Sequence, residues 1–430
     1  MKKLLFGFAA FSLATCAMTS CSSDDEKNDL DIPGGSGTME EYTPEESKEF
    51  LEDVATQALN MLNPNDQKEV IDLCGYFSEE YGDLELPDNF FSQEYDSPMT
   101  KTFFSGLEKA LGSNDGSALT RVAVDYAYDI NFNNYRGIYE PGTYQWEKVA
   151  SSDDVIFRFK NASGQNCELK ATGSSNTYDT TVTWTEDYYY DQETTEINLT
   201  VPAEINIYLT SGDSQLLSAK VISDVSFENK KFNINADVNV ANISVKAVTS
   251  GNDNKVNETL AMSVNGTPYI TSTGYLSGNH LFDIQYWNDY YNGEDEEKIF
   301  NEMFKNGEAT VTLLNQVSVD LIYTWVQGLS GLWFDYDDDY DYEKYISILN
   351  QAFKANVRYN NTTTVQATLA WEVERDEYDS YYAEIVPVIK FTSDNSTYYF
   401  WQYFDNSFNG VETLFNNVVR KYQALIDAAF

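Results

Sequence analysis

The densest chemistry in the chain is a run of carboxylates, Asp335-Tyr336-Asp337-Asp338-Asp339-Tyr340-Asp341. On a loop, Asp335, Asp337, Asp339 and Asp341 alternate and could converge on a hard cation such as Ca²⁺, which takes oxygen ligands. A twelve-residue calcium loop also needs glycine at its sixth place and a bidentate glutamate at its twelfth. Here those places hold Tyr340 and Ile346. The competing reading is a solvated acidic loop that delivers Asp341 to a helix N-terminus, where the dipole favours a negative charge. Paired carboxylates also carry out glycoside hydrolysis. Asp and Glu total 69, yet no pair is marked by its spacing, and neither a nucleophile elbow nor a phosphate loop is present. The sequence therefore predicts a non-enzymatic protein without a cofactor, with glycoside hydrolysis as the catalytic alternative.

Aromatic side chains form the second set. Tyr188 and Tyr190 lie in a tyrosine triplet, Trp287 and Tyr290 in a cluster with Tyr286 and Tyr291, and Trp401 in Tyr398-Tyr399-Phe400-Trp401-Gln402-Tyr403. Rings stack on the C–H faces of sugars while neighbouring Asp and Asn accept hydroxyl protons, and aromatic residues also dominate protein interfaces. The bland reading is that alternate rings pack the core while the others line a wet face. Cys74 and Cys167 could pair in an oxidising compartment. Cys74 also follows Val70 and Ile71 and precedes Phe77 at helical spacing, which reads as a buried helix face. A single His280 excludes the common zinc constellations, and its Ser277-Gly278-Asn279-His280 context reads as a turn.

The N-terminus opens with Met1-Lys2-Lys3 and an apolar stretch from Leu4 to Met18 that is too short to span a bilayer. Thr19-Ser20-Cys21 follows, then Ser22-Ser23-Asp24-Asp25-Glu26. The segment resembles a bacterial lipoprotein signal, with Cys21 the lipidated residue and Cys16 a competing site. The acidic run resembles the export signal of Bacteroidetes-type outer-membrane lipoproteins. The resemblance covers only the first 30 or so residues. It implies a protein anchored by lipid in the outer membrane and facing the cell exterior. Two or more acyl chains give a stable anchor where one does not.

The elements that must position any site divide the chain. Residues 1–20 read as the signal, 21–42 as an acidic, Gly-rich linker, 43–115 as a helical layer, 116–290 as an antiparallel meander, and 291–430 as helices with two or three further strands. Thr43-Pro44-Glu45-Glu46 combines a cap, a first-turn proline and a capping-box glutamate. Helices are predicted from there to Leu62, over about 66–80, from Ser97-Pro98 to Gly112, over Asp295–Lys305 with Asn306-Gly307 closing it, over Tyr342–Val357 and over Val411–Ala428. Ser318–Leu329, apolar on nearly every side, reads as a buried core helix. From about Ala118 the hydrophobic period falls from 3.6 to two, with Val155, Phe157 and Phe159 alternating with polar residues, the mark of half-buried strands. Ile197-Leu199-Val201 reads as one strand of the meander, and Leu217 to Phe227 keeps one parity throughout. A change of parity near Val240-Ala241 predicts a bulge or bend, Asn265-Gly266 predicts a hairpin turn, and Val365–Val373, Ala383–Thr392 and Tyr398–Phe404 read as strands.

The fold expected is α+β, a large bent antiparallel meander packed on helices from both ends of the chain. A formal charge of −42 excludes phosphate-backbone recognition of nucleic acid, which needs clustered Lys and Arg. The leading expectation is a surface protein that binds a glycan through exposed aromatic residues. One alternative is a carrier of an apolar ligand or lipid in a sheet-enclosed cavity; another is a structural or protein-partner module.

Overall fold

The computed structural model describes residues 37–82, 84, 126–188, 191–226, 229–282, 296–329, 341–375, 383–404 and 408–429. The helix expected over 97–112 lies outside them. Helix α1 (Pro44–Met61) opens with the capping box: Glu46 N–H donates to Thr43 Oγ1 at 3.2 Å, and Thr43 N–H donates to Glu46 Oε2 at 2.8 Å. Helix α2 (Lys68–Tyr81) follows after a short 3-10 turn.

The strands are β1 (Tyr126–Asn131), β2 (Gly137–Pro141), β3 (Trp146–Ala150), β4 (Val155–Lys160), β5 (Asn166–Gly173), β6 (Thr177–Tyr188), β7 (Asp191–Pro202), β8 (Glu204–Ser211), β9 (Ser214–Ser226) and β10 (Lys231–Val240). Then come β11 (Ile243–Asn252), β12 (Lys255–Val264), β13 (Thr267–Gly278), α3 (Glu296–Met303), β14 (Phe304–Leu313), β15 (Val317–Thr324), α4 (Tyr342–Ala352) and β16 (Phe353–Tyr359). The chain finishes with β17 (Val365–Arg375), β18 (Ala383–Phe391), β19 (Thr397–Tyr399), α5 (Phe400–Phe404) and α6 (Asn409–Ala429). The architecture is broadly α+β and dominated by one sheet.

That sheet has 16 strands in the order β19-β18-β17-β16-β15-β14-β13-β12-β11-β10-β9-β8-β5-β4-β2-β3. From β8 to β19 the sheet order follows the chain, a continuous antiparallel meander; within this sheet, among the described residues, only β2 and β4 pair in parallel. The interruption at β5–β8 is a small separate sheet, β1-β7-β6. Ile197-Leu199-Val201 therefore belongs to a second sheet and not to the meander.

Several expected elements change type. Ser318–Leu329 is not a helix: β15 runs to Thr324, with Ser318, Asp320 and Ile322 opposite Arg358, Asn356 and Lys354 of β16. Its outer parity carries Ile322 as well as polar residues, which hid the period of two. The helix expected to reach Val357 stops at Ala352, where the backbone turns extended at Phe353. Asn306-Gly307 closes no helix but sits inside β14. Tyr398–Phe404 is a three-residue strand followed by a short helix. The parity change at Val240-Ala241 is a hairpin turn and not a bulge, because Ala241 takes φ 51° and Val240 pairs with Ile243. Asn265-Gly266 turns β12 into β13 with both residues at positive φ. His280 also occupies a left-handed turn, φ 58°.

Candidate functional site

Cross-strand partners share a face of a sheet, so the registers sort the strands into two surfaces. One is polar. Arg358 makes paired contacts of 2.6 Å to both carboxylate oxygens of Asp320 on neighbouring strands, and Thr310 donates to the same carboxylate at 2.8 Å. Burial alone would raise the Asp320 carboxyl, but the Arg358 and Thr310 hydrogen bonds outweigh it and hold it below its ordinary value. Lys220–Glu204, Lys246–Asp237 and Lys390–Glu372 add exposed pairs on this outer face.

The inward face is aliphatic. Leu209, Leu217, Val240 and Ile243 lie along one row, and Ile207, Ala219, Val238, Val245 and Met262 along the next. Ile205, Val221, Ala236, Ala247 and Leu260 form a third row, which continues through Ser272, Val311 and Val319. Every cluster of buried side chains lies on this face, and the clusters gather at its two ends.

At one end the terminal helices pack. Leu73, Val70 and Phe77 of α2 meet Trp146, Phe159, Cys167 and Leu216. Ala58 and Met61 of α1 meet Val264, Tyr269 and Leu313, and Leu51 meets Ala367, Ile389, Phe391 and Tyr403. Hydrogen bonds fix this end: Tyr403 donates to the Pro44 carbonyl at 3.0 Å, Tyr422 to Gln67 Oε1 at 2.8 Å, and Gln316 to Gln57 at 3.0 Å. Burial pushes the Tyr359 phenol, packed against Phe50 of α1, up to about 12. At the other end, Leu281 packs with Val256, Phe232 and Leu276, and α4 covers Tyr323, Phe353 and Ile385.

Between the ends lies a band that belongs to no buried cluster. Ile205, Ile207, Val221, Ile234, Ala236, Val238, Val245, Ala247, Leu260, Ala309, Val311, Val319 and Leu321 are all half-buried, neither sealed nor exposed. At about 3.4 Å per residue and 4.8 Å per strand, the band measures about 14 Å along β10 and about 34 Å from β8 to β15.

Polar Thr249 and Ser272 and one charged side chain interrupt it. Glu258, between Val256 and Leu260 on β12, stands opposite Thr249 and Gly274. At the paired inward positions of β8–β16 among the described residues, Glu258 is the one charged side chain. Sequence reasoning missed it, although the parity of Val256-Glu258-Leu260-Met262-Val264 already carried the signal.

Of the residues expected to form sites, Cys21, Tyr190, Trp287, Tyr290, Asp335, Asp337 and Asp339 lie outside the described residues. Asp341 caps α4, accepting from Lys344 N–H at 3.0 Å. Among the described residues no group of His, Cys, Asp and Glu could hold a metal ion. Tyr188 ends β6, paired with Asp191. Trp401 is 41% exposed, donates from Nε1 to Glu374 at 2.9 Å, and lies parallel to Tyr399 with ring centroids 6.4 Å apart. Its neighbours in sequence, Tyr398 and Tyr403, turn into the core instead. Cys74 is exposed and Cys167 buried, and both are free thiols. The inward stripe of α2 is Val70-Leu73-Phe77, which puts Cys74 on the solvent side, contrary to expectation.

No family model matches the chain, and no curated protein matches it. Among solved structures, a porin-like protein from Bacteroides vulgatus ATCC 8482 is similar at 9% identity, over 51% of this chain and 95% of that one, with a TM-score of 0.17. A likeness at that score shows no shared fold.

Proposed function

We propose that the chain is a lipid-anchored protein of the outer-membrane surface, tethered at Cys21, that carries an apolar ligand against the inward face of its sheet. One observation carries this reading: a band whose aliphatic side chains are half-buried, with sealed Ser272 among them, lies between two sealed ends of the same face. A solid core would seal the middle as tightly as the ends, because protein interiors pack to crystal density. Ligand sites are concave, mostly apolar and carry few polar groups, which is the composition of this band. Strongly twisted sheets wider than about ten strands curl, split into two packed sheets or flatten. On this reading the sheet curls, and the helices α1, α2 and α6 at one end and α3 and α4 at the other close a chamber against it. The linker from Cys21 reaches the body at the helical end, where the Gly37 carbonyl accepts from Thr363 N–H at 3.0 Å.

Titration with a neutral dye that brightens in apolar surroundings tests the reading. Saturable uptake near one dye per chain is expected, reduced at least about fivefold in affinity by Ala236→Phe. Absence of uptake, or uptake indifferent to that substitution, overturns it.

A specific observation also supports glycan binding as a second reading. Tyr399 and Trp401 lie within 4° of parallel, and the Glu374 contact holds the exposed indole in place, a platform on which a sugar ring can stack. A glycan-array signal lost in Trp401→Ala would favour it; an unchanged signal would exclude this platform.

A further inference from the structure

We infer that the platform of Tyr399 and Trp401 takes a sugar that carries a protonated amino group, and that Glu374 and Glu384 receive that amine. The inference rests on the second reading, glycan stacking on Trp401, and adds the charge class of the sugar. Four observations carry it. On the polar parity of the sheet, Val388 stands between Ala370 and Tyr399 and is 0% exposed, so this edge of the outer face holds a covered apolar patch beside the two rings. The exposed Trp401 donates from Nε1 to Glu374 Oε1 at 2.9 Å. Glu384, also exposed, is the direct cross-strand partner of Glu374. On the same face Lys390 is taken by Glu372 at 3.0 Å, and among the described residues no Lys or Arg pairs with Glu374 or Glu384.

An indole N–H lies in the plane of its ring, so the Glu374 contact sets a carboxylate at the rim of the platform. Trp401 uses one of the roughly four acceptor sites of that carboxylate, and the others are left for a ligand. Directly opposed cross-strand positions hold their Cβ atoms about 4.5–5.5 Å apart, and like charges placed there repel. A sugar ring stacked on the indole, with a substituent over the Nε1 edge, meets this pair. A hydroxyl donates to it, whereas an ammonium donates and also relieves the repulsion, and charge-assisted hydrogen bonds are about twice as strong as neutral ones. A uronate in the same pose adds a third negative charge, so the site selects by repulsion as well as by attraction. The chain's net charge of −42 acts in the same direction, raising the local concentration of cations and lowering that of anions.

Isothermal titration calorimetry of the full-length chain separates platform from charge. The probes are a glucosamine tetramer, a neutral glucose tetramer and a galacturonate tetramer, at physiological salt and mildly acidic pH, where the amines carry their protons. The glucosamine tetramer should bind at least about fivefold more tightly than the glucose tetramer, with the galacturonate tetramer weakest. Trp401→Ala should weaken binding of the first two at least about tenfold. Glu374→Gln combined with Glu384→Gln should bring the three tetramers within about threefold of one another; glutamine at position 374 still accepts from the indole, so the platform stays in place. Binding of the glucose tetramer that Trp401→Ala removes, without any preference for glucosamine, overturns this inference and leaves the glycan reading standing. A glucosamine preference that survives the double substitution overturns it too, because the overall charge of the chain then does the selecting. A tetralysine peptide that binds as tightly as the glucosamine tetramer, and is lost with the two glutamates, also overturns it, since the partner is then a basic protein. Absence of binding by every tetramer overturns the glycan reading and this inference together.

Discussion

Strand β12 passes through both kinds of inward surface. Val256 at its start is 2% exposed and Val264 at its end 1%, while Glu258 and Leu260 between them are half-buried. Backbone, pairing and hydrogen bonding are continuous along the strand apart from a register shift at Met262/Ser263. What differs is what lies over it: Leu281 and Phe282 at one end, Ala58, Met61 and Leu62 at the other. Among the described residues no such cluster covers the middle. Among the described residues the clusters cover this row at its ends. On the proposed reading the ends carry stability and the middle is left for binding.

The largest test of that division is at the ends. Leu73→Ala, in the cluster with Trp146 and Phe159, should cost about 3 kcal/mol in chemical denaturation. Leu260→Ala removes as many atoms from the band and should cost under about 1 kcal/mol, because its methyls do not complete a sealed core. Equal losses would erase the distinction. Asp320→Asn should cost about 2 kcal/mol at neutral pH, since it leaves Arg358 without its charged partner. The Asp320 carboxyl is held low when folded, so its contribution is complete above the ordinary carboxylate range and is lost as pH falls through the folded value. Acid titration of stability should therefore be flatter in Asp320→Asn than in the unsubstituted chain.

Ala236→Phe sharpens the comparison from the other side. In a packed core, added volume costs about 1–3 kcal/mol. In an open band it should leave stability within about 0.5 kcal/mol and impair only dye uptake. The smallest effect belongs to Trp401→Ala. The indole is exposed, so stability should change by less than about 1 kcal/mol, and any loss should appear in carbohydrate binding alone.

Much of the sheet was legible in the sequence because alternation is a local property. Leu217-Ala219-Val221-Ser223-Val225 and Phe232-Ile234-Ala236-Val238-Val240 announce their strands and the face they share. The capping box at Thr43–Glu46 was equally legible, since all its partners lie within one turn. Ser318–Leu329 failed for the opposite reason: Ile322 on the outer parity removes the polar alternation that separates a strand from a buried helix. In the aromatic run 398–403, composition could not say which rings turn inward. Apart from Glu258, the sealed and open inward positions of β12 are all apolar, so their difference depends on what lies over them, a nearby turn at one end and a helix from far back in the chain at the other. Only Glu258, a charge on the apolar parity, could have been picked out beforehand.

The account stands or falls on whether the band holds a molecule. Native mass spectrometry of the full-length chain, purified from its native cells with the proposed acyl anchor at Cys21, reads this directly. The account predicts an additional bound mass beyond the lipid modification, of the size of an aliphatic amphiphile, that disappears in Ala236→Phe and persists in Trp401→Ala. A bare acylated chain, or an adduct that Ala236→Phe leaves in place, would contradict it.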